Sequence, residues 1–170
     1  RRLRALPIPV IMAINGVAAG AGANLAFSGD LLLAGKSAKF IQAFCKIGLV
    51  PDSGGTYFLP RLIGEAKAKA LALTGEAIDA DTAERWGMIW KVVEDENLLA
   101  EARGYAAHLA TQPTKALGTA KQMLQQSFGN SLDTQLALER DMQNELGQSE
   151  DFREGVSAFF EKRTPVFKGR

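Results

Sequence analysis

One cysteine and one histidine are all this chain has of two residue types that often hold metals or drive nucleophilic catalysis. Cys45 alone cannot close an internal disulfide or build a thiolate-only metal site. His108 alone leaves almost nothing for a histidine zinc site or a Ser-His-Asp triad. Excess charge is missing too. Twenty Lys and Arg against 19 Asp and Glu leave +1, so no strong field draws nucleic acid or an anionic membrane. No apolar run approaches the roughly 20 residues of a membrane span. The opening, Arg1–Pro7, is basic and then apolar, but it has no long apolar core and does not read as a signal peptide. What is present is 170 residues, 46% of them hydrophobic, enough for the core of one domain.

The apolar patterning predicts an α/β arrangement followed by helices. Pro9–Ile14 is a short apolar run closed by Asn15-Gly16, a strand buried on both faces. Gly20–Phe27 reads as a small, close-packed helix. Asp30–Ala34 and Ala38–Phe40 read as strands, and Ser53–Leu62 as a helix ended by Gly64. A helix over Glu65–Leu73 stops at Thr74-Gly75. Asp79 caps a short helix that Gly87 terminates. Met88–Val93 reads as one more strand. After Glu96 everything is helical: Leu98–Ala110, Thr114–Ser127 behind Pro113, Ser131–Leu146 and Glu150–Lys162. The expected division is a sheet-and-helix core over residues 1–93 and a helical module over 94–170.

Two small-residue segments can carry chemistry. In Asn15–Asn24, Gly16, Gly20 and Gly22 let the backbone turn tightly and approach a ligand. A strand enters and a helix leaves, so the N–H groups near Ala21 and Gly22 sit at a helix N-terminus, where anions bind. No Gly-Lys-Ser/Thr follows, which excludes a Walker loop, and the dinucleotide-fold third glycine is missing. Close helix–strand packing explains the same small residues equally well. The second segment, Val50–Thr56, holds one carboxylate, Asp52. It reads as a proton-transfer group, as the N-cap of the helix after it, or as both. Ser53 has no adjacent base and reads as a helix-start residue. Cys45 reads as a packed thiol, His108 as structural or surface, and Trp86 and Trp90 as buried against the helical module.

The motifs that now accumulate resemble one family. They are Ala13–Ala23, Asp30, Ser37–Phe40, Gly48–Thr56, Leu59-Pro60-Arg61, Leu73-Thr74-Gly75, Ala83–Ile89 and Glu154–Arg163. Together they resemble the crotonase, or enoyl-CoA hydratase/isomerase, superfamily over nearly the whole chain. The resemblance implies its ββα spiral core (the ClpP-like fold), truncated at the N-terminus, followed by a helical C-terminal trimerisation module. Nothing in Arg1–Pro9 supplies the family's early strands or its first oxyanion donor.

The resemblance also implies roles. The second oxyanion donor falls on the N–H of Ala21, with Gly20 and Gly22 beside it. The two glutamates of a water-adding hydratase fall at Asn24 and Phe44, which carry no acid, so hydration is disfavoured. The acid stands instead at Asp52, as in the family's single-aspartate isomerases. Ala43–Asp52, Trp86–Trp90, His108–Thr114 and Leu132–Leu136 are most similar to those that rearrange ring-epoxide acyl thioesters in phenylacetate catabolism. A Δ3,Δ2-enoyl-CoA isomerase is the near alternative, and a non-catalytic CoA-binding or assembly module the distant one. Asn24 and Phe44 are expected at the substrate, and Phe159 and Lys162 near the adenine and phosphates of CoA. Phe159 reads equally as helix packing beside Phe160 and Phe167. The implied protein is a cytoplasmic trimer or dimer of trimers with an acyl-CoA substrate, no metal and no other cofactor.

Overall fold

The computed structural model describes Arg1–Arg170, which divide into two compact units. One is Val10–Gly104. The other joins Arg1–Pro9 to Tyr105–Arg170. The contacts therefore draw the boundary inside a helix, past the Val93 of the sequence reading.

The first unit alternates strands and helices: β1 Ile11–Ile14, β2 Val17–Ala19, α2 Ala21–Ala26, β3 Leu31–Gly35, β4 Lys39–Ile41, α3 Gly55–Ile63, α4 Glu65–Thr74, β5 Ala77–Asp79, α5 Ala80–Arg85 and β6 Lys91–Val93. One sheet runs β1-β3-β6, all parallel, with Ile14 opposite Ala34 and Leu33 opposite Lys91. The other runs β2-β4-β5, parallel and then antiparallel. Asp30 starts β3 against the entry to β1: its Oδ2 accepts the Val10 N–H at 2.7 Å, and its own N–H donates to the Val10 carbonyl at 2.8 Å.

Strand periodicity sets the core. Met12, Ile14, Leu32 and Ala34 alternate onto one face, where Phe27, Phe40, Leu59, Ile63, Ala83 and Met88 join them. Leu33 has the opposite parity and is also fully buried, so both faces of the central strand are covered. That is why β3 reads as an unbroken apolar run.

Two strand expectations change. Met88 and Ile89 are buried but not in a strand, because Gly87 turns the chain at φ 78° and the Met88 N–H goes back to the Ala83 carbonyl. Only Lys91–Val93 reaches the ladder. β2 and β5, three residues each, are further strands that the patterning does not reveal.

The second unit contains α1 Arg2–Ala5, α7 Thr114–Ser127, α8 Leu132–Leu146 and α9 Glu150–Glu161, and α6 Leu98–Ala110 runs into it. The caps are those the sequence offers. Ser131 Oγ accepts from the Thr134 N–H, and Ser149 Oγ from the Phe152 N–H at 3.1 Å. The N-terminal segment is pinned to α7 by buried Lys121, whose Nζ donates to the Ile8 carbonyl at 3.0 Å. Gly118 makes room for this contact, since a Cβ there would stand 2.0 Å from the Pro7 carbonyl oxygen. Beyond α9 the tail folds back onto buried Asp151, whose carboxylate accepts from the N–H groups of Lys168 and Gly169.

Candidate active site

The glycine segment is built as strand, turn, helix. β2 ends at Ala19, and Gly20 turns the chain at φ 54°, ψ −124°, a conformation that disfavours a side chain. Its N–H stays in the sheet, donating to the Ile41 carbonyl at 2.8 Å. Ala21 and Gly22 then open α2. Both are exposed, and their N–H groups have no acceptor within the helix. Close packing does not account for all the glycines here. A Cβ added to Gly16 or Gly22 meets nothing within 4 Å, whereas one at Gly20 would only touch the Phe44 ring, at 3.5 Å.

Asp52 comes from a loop between a 3₁₀ turn, Ala43–Ile47, and α3. The N-cap expectation is not met. Ser53 at φ 50° and Gly54 at φ 90° are left-handed, so the helix begins only at Gly55, Gly54 is its cap residue, and no side chain caps it. The same geometry corrects Ser53 from helix start to loop. Asp52 and its two successors are exposed.

What joins the two segments is Asn24. It lies on α2 and is fully buried. Its Nδ2 donates to the Asp52 backbone carbonyl at 3.0 Å, and its Oδ1 accepts from Gln42 Nε2 at 2.8 Å. Gly55 leaves the space for this amide: a Cβ there would stand 2.3 Å from Asn24 Nδ2. Phe44, also buried, presents its ring to Gly20. The structure thus gathers Gly20, Ala21, Gly22, Asn24, Phe44 and the Asp52 loop within the sheet unit. Phe159 and Lys162 belong to the helical unit. Phe159 is 78% exposed and meets Phe160 edge-on, with ring centroids 5.7 Å apart. Lys162 is exposed and ends α9 in a left-handed turn, φ 54°.

Gln42 is the residue the sequence reading passed over. Its signal was parity: Phe40 and Gln42 alternate to the same inward side as β4 ends, and an inward amide needs a partner. Three bland readings are settled as well. Cys45 is exposed, not packed, because the 3₁₀ turn points Phe44 inward and the next residue outward. Trp86 packs on the sheet unit's own core, under Lys67 at 4.9 Å, and Trp90 is about half exposed. His108 lies on the surface of α6.

No group of three or more His, Cys, Asp or Glu side chains gathers to hold a metal ion, and no helix is long and apolar enough to cross a membrane. The exposed strand–turn–helix and the loop that carries Asp52 are thus joined through one buried side chain, Asn24. The pattern of the enoyl-CoA hydratase/isomerase family matches residues 1–170, and the chain belongs to that family. It is 58% identical over all of its length to the 1,2-epoxyphenylacetyl-CoA isomerase of Escherichia coli K12, of which it covers 65%. It is 41% identical over 99% of its length to the 2,3-dehydroadipyl-CoA hydratase of the same organism, covering 66% of that protein. A crystal structure of an enoyl-CoA hydratase from Bacillus anthracis superposes with a TM-score of 0.95 at 36% identity, over 99% of this chain and 65% of that one. The chain therefore spans about two thirds of the length of these relatives.

Proposed function

We propose that this chain carries the acid/base site of an acyl-CoA isomerase, with ring-1,2-epoxyphenylacetyl-CoA as the substrate and the oxepin thioester as the product. The observation that carries this reading is the acid inventory of the site. Position 24 is an amide already engaged by Asp52 and Gln42, and position 44 is a buried phenyl ring, which supports Asp52, carried by the loop that Asn24 holds, as the acid. The kinship with the E. coli isomerase supports the choice of substrate.

Isomerisation keeps the formula: the carbon–carbon bond shared by the epoxide and the six-membered ring opens to give the seven-membered oxepin, a double bond forms from the carbon next to the thioester to the ring, and the proton lost from that carbon is returned to a ring carbon, so no group leaves. The Ala21 N–H would donate to the thioester oxygen as negative charge builds there. A fixed donor of that kind is worth on the order of 10²–10³ in rate. Asp52 would accept the proton from the carbon next to the thioester and deliver it further along, worth roughly 10²–10⁴. Gly20 and Gly22 would let the substrate approach, and Asn24 and Phe44 would form the wall behind it. Nothing in this sequence of steps calls for a metal or redox cofactor. In the proposed assembly, Phe159 of one chain would offer an apolar face to the adenine of the CoA bound by another chain, and Lys162 a cation to its phosphates.

A Δ3,Δ2-enoyl-CoA isomerase would use the same single carboxylate. The assembly we propose is a homotrimer or a dimer of trimers in the cytoplasm. The support for assembly is the apolar surface of the helical unit, where Leu132, Phe159 and Phe160 are each more than 70% exposed. A purely non-catalytic CoA-binding or assembly role is separated by the same experiment as the chemistry. The full chain is assayed with the ring-1,2-epoxide thioester and with a 3-enoyl-CoA, alongside Asp52→Asn. The expected outcome is conversion of the epoxide and a loss of at least about a hundredfold in the folded variant. Preference for the 3-enoyl thioester would select the alternative. Unchanged turnover in the variant would leave Asp52 without a catalytic role.

A further inference from the structure

The Asp52 loop has little of its own to hold it. Its residues are exposed, it belongs to no ladder, and two successive left-handed residues follow the aspartate. The Asp52 carbonyl is nevertheless tied twice. It accepts the Gly55 N–H at 2.8 Å from within the loop, and Asn24 Nδ2 at 3.0 Å from a different element. The second tie runs through buried groups only: Asn24 is fully buried and Gln42 is 3% exposed.

An asparagine amide has two orientations that differ by half a turn. One presents N–H to the Asp52 carbonyl, and the other would set oxygen against oxygen. The Asp52 carbonyl can only accept and so selects the first, and Gln42 secures it. Its Nε2 donates to Asn24 Oδ1 and so leaves Nδ2 to face the loop. Gln42 Oε1 is buried without a partner, an unsatisfied acceptor in a position where such atoms are costly. The amide is therefore placed for what its N–H does and not for its own satisfaction. Gly55 completes the arrangement, because any side chain there would occupy the space of the Asn24 amide.

We infer that Asn24 and Gln42 are positioning residues for Asp52: a buried amide pair, fixed in one orientation, that holds the Asp52 backbone and so sets where its carboxylate starts from. The inference rests on the reading of Asp52 as the acid/base. It assigns Asn24 a task beyond lining the substrate, and gives Gln42 a part in the reaction without contact to it.

The test uses the full chain with ring-1,2-epoxyphenylacetyl-CoA, and four variants: Asn24→Asp, Gln42→Met, the double variant and Asp52→Asn. An ionised carboxylate at position 24 cannot donate to the Asp52 carbonyl, whereas a protonated one can. Asn24→Asp should therefore lose about ten- to a hundredfold in kcat with KM changed less than about threefold, the scale expected when a catalytic group is misplaced by about 1 Å. The loss should deepen as pH rises through the range in which the new carboxyl ionises. The split between kcat and KM, and its recurrence in Gln42→Met, which adds no charge, are what a merely structural residue would not give. Gln42→Met removes the orienting donor at similar volume and should lower kcat in the same sense, by less. The double variant should be no worse than Asn24→Asp alone, because both act through one bond.

Equal kcat and an unchanged pH profile in the folded single variants would overturn the inference, as would losses that multiply in the double variant. Should Asn24→Asp not fold, wild-type kcat in Gln42→Met overturns it alone. Full activity in Asp52→Asn removes the acid/base reading and the inference with it. A dead Asp52→Asn beside fully active amide variants removes only the inference.

Discussion

Single positions here are decided by a few ångströms of space. Gly55 shows this most directly. It sits at the start of α3 with an ordinary helical role, yet its missing Cβ is what admits the Asn24 amide. Gly55→Ala would press a methyl group into that amide. We expect a loss of roughly 1–3 kcal/mol in urea unfolding, the range for overpacking a tight site, together with reduced kcat as the Asp52 carbonyl loses its partner. Wild-type stability and activity would show that the amide can move aside at no cost. Gly20 is constrained differently. Space is available beside Phe44, and it is the backbone conformation that restricts the position. The sequence marks both glycines as unusual but cannot say which constraint applies to which.

At the scale of elements, caps and stops were the legible part. Asp79 caps α5 with an Oδ1 bond to the Thr82 N–H at 2.8 Å, as its place before Ala80 suggests. Pro113, Ser131 and Ser149 open α7, α8 and α9, and Gly64 and Gly75 close α3 and α4. The end of α9 carries a testable clasp. Arg163 binds Glu154 through two nitrogens, one of them at 2.8 Å, and the Val166 N–H adds a bond of 2.8 Å. The Arg163 guanidinium and that N–H hold the Glu154 carboxyl down to about 2, from an ordinary 4.5. A depressed carboxyl contributes stability above its unfolded value and loses it as pH falls toward the folded one. The tail after α9 should thus be held above pH 4.5 and released progressively down to about pH 2. Amide exchange at Val166 reads this directly, and Glu154→Gln should flatten the profile. An equally steep profile in that variant would assign the release to other carboxylates.

For the whole molecule, the apolar surface of the helical unit is the feature that asks for company. Phe159 and Phe160 are over three-quarters exposed at the end of α9, and a groove of about 1310 Å³, lined by Met123, Leu136, Phe152, Val156 and Phe160 among others, runs along the same helices. Exposed apolar area on this scale marks interaction surfaces. On the trimer we propose, sedimentation of the full chain should give a multiple of three chains, and Leu136→Glu with Phe160→Glu should reduce it. A single-chain mass in the unaltered protein would count against that assembly.

The sequence alone determined the cores of most elements and their stops, because hydrophobic period and capping chemistry are local properties, whereas the joining of Arg1–Pro9 to Tyr105–Arg170 is a tertiary matter. It also determined the family, since many spaced motifs must agree at once, and the absence of an acid at positions 24 and 44. Short strands such as β2 and β5 escaped it, because three residues carry no usable period and form only when a neighbouring strand supplies the other half of each hydrogen bond. Asp52 looked like a cap from its neighbours, and only the left-handed turn at Ser53 and Gly54 showed that the helix begins too late for that. The amide pair was invisible for the same reason. Asn24, Gln42 and Asp52 are 18 and 28 residues apart along the chain, and what orients a buried amide is the one donor and the one acceptor that folding brings within 3.0 Å of it.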